Sequence, residues 1–201
     1  MSDAVLKTPE HTSPKAFTRA QLDWLPWLEP LAVDALTPRH VASLVDAARV
    51  KSPYFRLLAR DPDALEARTR TDKDIFYNPD AGLPRAEREL AAAATSRFNG
   101  CLYCASVHAR HAATYSKRED DVQRLLDAGV TAELGERWNA IVAASVALTA
   151  TPSSFGPEHV ERLRRAGLDD LAISDVIHAA AFFNWANRLM LSLKEPATTA
   201  G

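Results

Sequence analysis

Apolar residues recur at three- and four-residue steps through most of this 201-residue chain, and this spacing constrains the fold more than any other feature. In "TPRHVASLVDAARV", for example, Val41, Leu44 and Val45 follow a capping Thr37. An α-helix gathers such residues on one face, whereas a half-buried strand needs alternating apolar and polar residues. We find no convincing alternating run, and glycine occurs only seven times. The sequence therefore predicts an all-α fold.

Capping residues and prolines mark where the helices begin and end, since proline is tolerated at the first helical position but not inside a helix. One helix is expected to end at Asn99-Gly100, and the next to run from near Cys101 to about Lys117. The other predicted helix starts lie at Thr37, Ser52-Pro53, Asp61-Pro62, Pro84 and Ser174.

Three regions follow from this pattern. Residues 1–36 read as a partly flexible N-terminal arm, residues 37–195 as one helical domain, and residues 196–201 as a flexible tail. The arm carries Trp24 and Trp27 close to three prolines, which is not the pattern of a long helix. Its tryptophans are expected to pack either on their own domain, which we favour, or on a neighbouring subunit.

The composition excludes several functional classes. A formal charge of −2 gives no basic field for nucleic acid or an anionic membrane surface. The N-terminus lacks the pattern of a secretory signal, and no uninterrupted apolar run approaches the roughly 20 residues that cross a bilayer. We therefore expect a cytoplasmic protein, in which a C-x-x-C pair is more often redox-active or metal-binding than structural.

Both cysteines of the chain fall in "SRFNGCLYCASVHARHA", residues 96–112. At about 100° per residue, Cys101, Cys104, His108 and His111 share one face of the predicted helix, with Tyr103 pointing the opposite way. The cysteines also lie in the first turn, where backbone N–H groups and the helix dipole favour a thiolate. His108, one turn further on, could accept the thiol proton directly or through water.

Other interpretations of these residues stay open. The set C-x-x-C-x-x-x-H-x-x-H offers four zinc ligands, although one continuous helix converges them poorly on a tetrahedral ion. Such a zinc site would make the chain a structural or regulatory module. The cysteines could instead pack without a chemical role, or the chain could be a redox-inactive protein that binds a small ligand. His111 by itself is more typical of a structural histidine than of a catalyst.

The preceding helix supplies two candidate carboxylates for a proton relay, Glu87 and Glu89. The periodicity does not choose between them, because the run of four alanines after Leu90 obscures which face of the helix is buried. Either glutamate could equally be an ordinary solvated carboxylate.

The stretch "ERELAAAATSRFNGCLYCASVHARHA" resembles the core motif of the carboxymuconolactone decarboxylase/alkylhydroperoxidase D superfamily, in its AhpD-like, peroxidase-related branch. In that motif a glutamate stands twelve residues before C-x-x-C, and a histidine stands four residues after the second cysteine. The matching residues here are Glu89, Cys101, Cys104 and His108. The similarity extends over roughly residues 40 to 195, including "SPYFRLLARDPD" and "FFNWANRLMLSL".

The resemblance implies an AhpD-like helical bundle with the C-x-x-C at a helix N-terminus, assembled as a trimer or hexamer. It implies thiol peroxidase activity without a cofactor or metal. Cys104 would attack the hydroperoxide, Cys101 would form a disulfide with it, and Glu89 and His108 would relay protons. An external dithiol, either a thioredoxin-like or a lipoyl-bearing protein, would then reduce the disulfide.

The chain departs from the family pattern at one position. The best-studied members carry a histidine just before the second cysteine, where this chain has Tyr103. The resemblance therefore implies no relay role for that position. It also argues against lactone decarboxylation, because the decarboxylase branch typically lacks the cysteine pair.

Overall fold

The computed structural model describes residues 5–8 and 12–198 of the chain, and it confirms the all-α prediction. The α-helices of this part of the chain are α1 (Pro38–Ser43), α2 (Pro53–Leu58), α3 (Pro62–Tyr77), α4 (Arg85–Phe98), α5 (Leu102–Ser116), α6 (Glu119–Ala128), α7 (Glu136–Thr149), α8 (Pro157–Arg165) and α9 (Asp170–Leu193). Short 3-10 helices cover Val33–Ala35 and Ala47–Lys51.

Most predicted helix starts coincide with caps in the structure. The Thr37 hydroxyl accepts a hydrogen bond from the His40 N–H at 3.3 Å, and the Asp61 carboxylate accepts one from the Ala64 N–H at 3.1 Å. The predicted start of the last helix at Ser174 is wrong. The helix begins at Asp170, and Asp169 Oδ1 accepts from the Ala172 N–H at 2.8 Å. Aspartate is as good an N-cap as serine, so the cap signal alone could not choose between them.

Two short strands were not predicted. Strand β1 (Leu22–Pro26) pairs antiparallel with strand β2 (Lys194–Thr198), so a segment of the arm joins the end of the chain. A five-residue strand that ends in proline carries almost no alternation signal, and its partner lies at the other end of the sequence. Residues 196–198 of the predicted tail therefore belong to this ribbon. The prediction of a flexible arm and tail concerns in part residues 1–4, 9–11 and 199–201, which lie outside the described residues.

The ribbon brings Trp24 onto its own domain. The indole is 7% exposed, packs edge-on against Tyr54 with centroids 5.5 Å apart, and donates from Nε1 to Met190 Sδ at 3.0 Å. Packing of the arm on its own domain is thus observed for Trp24. A contact between the arm and a neighbouring subunit stays a prediction.

Helix α4 forms the centre of the core and packs against α5, α7 and α9. Its residues Leu90, Ala91, Ala92, Ala93 and Ala94 are all fully buried. Alanine side chains on every face let the three neighbouring helices approach closely, which is why this helix shows no single apolar stripe. The consequence for the site is that polar residues of α4 are buried as well.

Among the described helices, none is both long enough and apolar enough to cross a membrane.

Candidate active site

The cysteine pair sits where the chain turns from α4 into α5. Gly100 in this turn has a φ of +78°, a left-handed conformation that side-chain-bearing residues rarely adopt. Cys101 is the N-cap residue of α5, and its N–H donates to the Ser96 carbonyl at 2.9 Å. The predicted position of C-x-x-C at a helix N-terminus is therefore observed, and the positive end of the helix dipole faces both thiols.

A side-chain network from α9 holds this turn, and the sequence analysis missed it. Asn187 is fully buried and donates from Nδ2 to Ser96 Oγ at 3.0 Å. Its Oδ1 accepts a hydrogen bond from Asn99 Nδ2 at 3.2 Å. Buried amides must find partners, so Asn187 ties both ends of the turn to α9. The available sequence signal was an amide side chain among the mostly apolar residues of α9.

The two thiols are close together and differ in accessibility. Their Sγ atoms lie 2.8 Å apart without forming a disulfide, in which the distance would be about 2.05 Å. Cys101 is fully buried, whereas Cys104 is 5% exposed and lines a cavity. A small molecule in this cavity would therefore meet Cys104 first, with Cys101 directly behind it.

Glu89 and His108 form a buried pair in the same cavity. Glu89 is 1% exposed, and its Oε2 lies 2.6 Å from Nδ1 of His108. Its other oxygen, Oε1, accepts hydrogen bonds from Nε and Nη2 of Arg85, both at 3.1 Å. The remaining candidate, Glu87, pairs instead with Arg137 at 2.8 Å and does not line the cavity.

The charge of Glu89 is preserved despite its burial. Burial raises the pKa of its carboxyl, but the hydrogen bond from His108 and the positive charges of His108, His111 and Arg85 together hold that pKa below its ordinary value. An ionised Glu89 accepts a hydrogen bond from Nδ1–H of His108. This leaves Nε2 as the ring nitrogen of His108 that can exchange a proton with groups in the cavity.

Aromatic rings hold this pair in place. The His108 ring packs between Phe183, with centroids 4.0 Å apart, and Phe76, with centroids 5.4 Å apart. The Arg85 guanidinium lies 4.0 Å from the ring centre of Tyr77 and 4.5 Å from that of Tyr115. Such contacts restrict the orientation of both the base and the arginine that accompanies its carboxylate.

The cavity has a volume of about 200 Å³ and a largely aromatic wall. From α5 it is lined by Tyr103, Cys104, Val107, His108 and His111. The predicted orientation of Tyr103 away from the site is therefore wrong. At about 100° per residue these positions span an arc of roughly 140° centred near His111. The predicted angles were measured from Cys101, which lies just outside this arc.

His111 lines the cavity and stacks on Tyr115, with ring centres 6.2 Å apart. Burial, opposed in part by Glu89 and reinforced by the positive charge of His108, lowers the pKa of His111 below its ordinary value. The unprotonated form of His111 is therefore favoured more than in a free imidazole.

Within residues 5–8 and 12–198, no group of three or more His, Cys, Asp and Glu side chains is arranged to hold a metal ion. The possible zinc ligands of α5 are instead divided among the dithiol contact, the Glu89–His108 pair and the stack of His111 on Tyr115.

Comparison with known proteins finds a family-model match over part of the chain. Residues 62–147, which include Glu89, both cysteines and His108, match the carboxymuconolactone decarboxylase family model. No curated protein sequence matches the chain. The resemblance predicted from the cysteine motif is confirmed by this match together with the structural similarities below.

Several solved structures share the fold. The AhpD core of an uncharacterized peroxidase-related protein from Ralstonia eutropha JMP134 has a TM-score of 0.71 at 23% identity, covering 84% of this chain and 90% of that one. A peroxidase-related protein from Silicibacter sp. TM1040 has a TM-score of 0.68 at 21% identity, covering 84% and 91%. The debrominase Bmp8, in complex with 2,3,4-tribromopyrrole, has a TM-score of 0.63 at 20% identity, covering 82% and 87%. At these identities the similarity establishes the fold.

Proposed function

With residues 62–147 assigned to the carboxymuconolactone decarboxylase family and the fold to its AhpD-like members, we propose that this chain reduces organic hydroperoxides with its cysteine pair. The observation that carries the proposal is the convergence of a dithiol and a buried carboxylate–histidine pair on one aromatic cavity. The family contributes a peroxidase-related role, and the residues contribute the mechanism.

Accessibility assigns the two thiols their roles in this proposal. Cys104 lines the cavity and attacks the distal oxygen of the hydroperoxide, while Cys101 is sealed behind it. Both cysteines stand in the first turn of α5, whose dipole stabilises a thiolate. The short Sγ–Sγ contact lets Cys101 reach an oxidised Cys104 with little rearrangement.

Glu89 and His108 manage the protons. Ionised Glu89 holds Nδ1–H of His108, so Nε2 can take the proton of Cys104 directly or through water. The same nitrogen can return that proton to the departing alkoxide. Arg85 keeps Glu89 oriented and charged throughout the reaction.

The proposed reaction has three steps. The Cys104 thiolate breaks the O–O bond of ROOH, becomes a sulfenic acid, and releases an alkoxide that is protonated to ROH. The Cys101 thiol then attacks this sulfenic sulfur, which gives a disulfide and water. An external dithiol, which we propose to be a thioredoxin-like or lipoyl-bearing protein, then reduces the disulfide. The external dithiol is itself oxidised to a disulfide, and both thiols of the chain are restored.

We also propose that the chain acts as a homo-oligomer, a trimer or a hexamer. Large apolar side chains on α9 are accessible in the single chain, with Leu171 53%, Trp185 48% and Leu191 39% exposed. Light scattering of the purified protein tests this proposal, and a monomer at micromolar concentration would contradict it.

The decisive experiment follows the disulfide itself. Reduced protein is mixed with cumene hydroperoxide in a rapid-quench apparatus, trapped with an alkylating agent and examined by mass spectrometry. We expect one Cys101–Cys104 disulfide per chain, formed in step with the loss of one peroxide. The Cys104→Ser variant should consume no peroxide, and full turnover by that variant would refute the mechanism.

A second candidate is the reductive dehalogenation of halogenated aromatic compounds. The aromatic cavity beside a dithiol favours it, as does the shared fold of a debrominase. The balanced reaction converts an aryl bromide and two thiols into the arene, a disulfide and hydrogen bromide. Bromide release from 2,3,4-tribromopyrrole tests this activity, and turnover faster than that of cumene hydroperoxide would rank it first.

A further inference from the structure

The cavity wall also contains an arginine with two nitrogen atoms that form no hydrogen bond. Arg68 of α3 lines the cavity, and its side chain is only 9% exposed. Its Nε and Nη1 atoms are buried and form no hydrogen bond with the residues that the structure describes, and Nη1 has only an ion-pair contact with Asp72. A buried N–H without an acceptor is costly, and it is uncommon in native proteins.

The charges around Arg68 do not cancel. Arg68 Nη1 lies 3.3 Å from Oδ2 of Asp72, and Arg49 Nη2 lies 3.8 Å from the same oxygen. Both guanidinium groups stay protonated in proteins, so this cluster of two arginines and one carboxylate carries a net charge of +1 when Asp72 is ionised. Arg85, the other arginine in the cavity wall, is already paired with Glu89.

Aromatic rings confine the Arg68 guanidinium. Its central carbon lies 5.7 Å from the ring centre of Phe55 and 5.3 Å from that of Phe182. Phe55 also lines the cavity, beside Tyr54 and Phe76. The arginine is therefore a held positive group at the edge of an apolar surface, which is the arrangement that binds an amphipathic anion.

We propose that Arg68 binds a carboxylate of the substrate, so that this chain acts on apolar hydroperoxides that carry a carboxylate. The carboxylate supplies the missing hydrogen-bond acceptor and neutralises the surplus charge of the Arg49–Asp72–Arg68 cluster. The apolar body of the ligand lies on the aromatic wall, and its peroxide group points to Cys104. The part of this inference that concerns chemistry at Cys104 rests on the proposed function. The part that concerns carboxylate binding does not depend on it.

Binding is tested with ligands that cannot react. The pair 4-isopropylbenzoate and 4-isopropylbenzamide has nearly the same shape, and only the first is an anion. We expect calorimetry to show that the wild-type protein binds the benzoate at least tenfold more tightly than the amide. Equal affinities would overturn the inference without recourse to any variant.

Variants then test whether Arg68 causes the preference for the benzoate over the amide. Arg68→Gln should weaken benzoate binding at least tenfold and change amide binding less than threefold, while Arg68→Lys should retain part of the preference. Arg70→Gln is the matched control, because Arg70 lies on the same helix but pairs with Glu66 at 2.7 Å outside this cavity. An equal loss of both ligands in Arg68→Gln would indicate a purely structural role and contradict the proposal.

Turnover measurements distinguish a failure of this inference from a failure of the proposed function. Wild-type kcat/KM for the para-carboxylate of cumene hydroperoxide should exceed that for cumene hydroperoxide at least tenfold, and Arg68→Gln should abolish the difference. If both peroxides are reduced with equal kcat/KM, the substrate class is wrong and the function stands. If the benzoate binds through Arg68 and neither peroxide reacts, the carboxylate site stands and the proposed function is wrong.

Discussion

Glu89 and His108 meet through a 2.6 Å contact between Oε2 and Nδ1, although the two residues stand on different helices and nineteen positions apart. The contact turns a buried carboxylate and a half-buried imidazole into one proton-handling unit. Because the contact uses Nδ1, Nε2 is the ring nitrogen of His108 that does not contact Glu89. Much of the proposed chemistry depends on this orientation.

Replacing Glu89 with glutamine tests the unit. The amide is nearly isosteric but removes the negative charge that stabilises a protonated His108, and it can favour the wrong tautomer. We expect the rate of peroxide-driven disulfide formation to fall by roughly 10²-fold to 10³-fold. Stopped-flow measurement of that rate checks the prediction.

Glu87→Gln is the control for this variant. Glu87 lies on the same helix and is similarly buried, yet its salt bridge goes to Arg137 outside the cavity. This variant should keep the rate within about twofold while losing a little stability, because the partly exposed Arg137 loses its charged partner. Equal rate losses in both variants would mean that Glu89 acts only through folding.

Replacing Cys101 with serine separates the two thiols. Cys104 keeps its place in the cavity, so the first reduction of peroxide should proceed within about threefold of the wild-type rate. The sulfenic acid then has no resolving thiol and should accumulate, detectable by a dimedone adduct in mass spectrometry. Unchanged steady-state turnover with a dithiol reductant would show that Cys101 does not resolve the intermediate.

The sequence predicted the helices and the main residues of the site, but not their partners. Caps at Thr37 and Asp61 are local signals, and the structure confirms both. The choice of Glu89 over Glu87 came only from family resemblance. Periodicity could not make that choice because α4 is buried on all sides, so each glutamate meets a different neighbouring helix.

Features that depend on distant contacts could not be predicted. The β1–β2 ribbon pairs residues from opposite ends of the chain, and no local pattern encodes that pairing. Tyr103 was placed on the wrong side because the helical wheel gives relative angles and not the direction of the cavity. Nothing in the sequence distinguishes Arg68 from the other charged residues of α3, because its contacts with Phe55 and Asp72 exist only in the folded chain.

The lowered pKa of His111 predicts a pH dependence of stability. A base whose pKa is lower in the folded state favours the deprotonated form, so its contribution to stability is fully present above the unfolded value of about 6.5. That contribution is lost as the pH falls from this value through the folded pKa. Urea unfolding between pH 8 and pH 5 should therefore show a decline that His111→Gln reduces.

His178→Gln is the control for this measurement, since His178 is exposed on α9. Its variant should follow the wild-type curve across the same pH range. A wild-type protein whose unfolding free energy rises as the pH falls through this interval, with the rise removed in His111→Gln, would contradict the predicted sign.

Asn187 provides the last test, because it links the cysteine turn to α9 without entering the cavity. Its amide donates to Ser96 Oγ and accepts from Asn99, and it is fully buried. Asn187→Leu keeps the volume but leaves those partners without their hydrogen bonds, so the free energy of unfolding should fall by about 1–3 kcal/mol. Disulfide formation should also slow, because the turn that places Cys101 against Cys104 is loosened.

Asn184→Ala is the matched variant, since Asn184 also accepts from Asn99 Nδ2 at 3.2 Å but is only half-buried. Water can replace its hydrogen bond, so we expect a loss below about 1 kcal/mol and an unchanged rate of disulfide formation. Chemical denaturation and rapid-quench kinetics on the same two proteins measure both quantities. If Asn187→Leu loses stability but forms the disulfide at the wild-type rate, the network supports the fold alone and does not position Cys101.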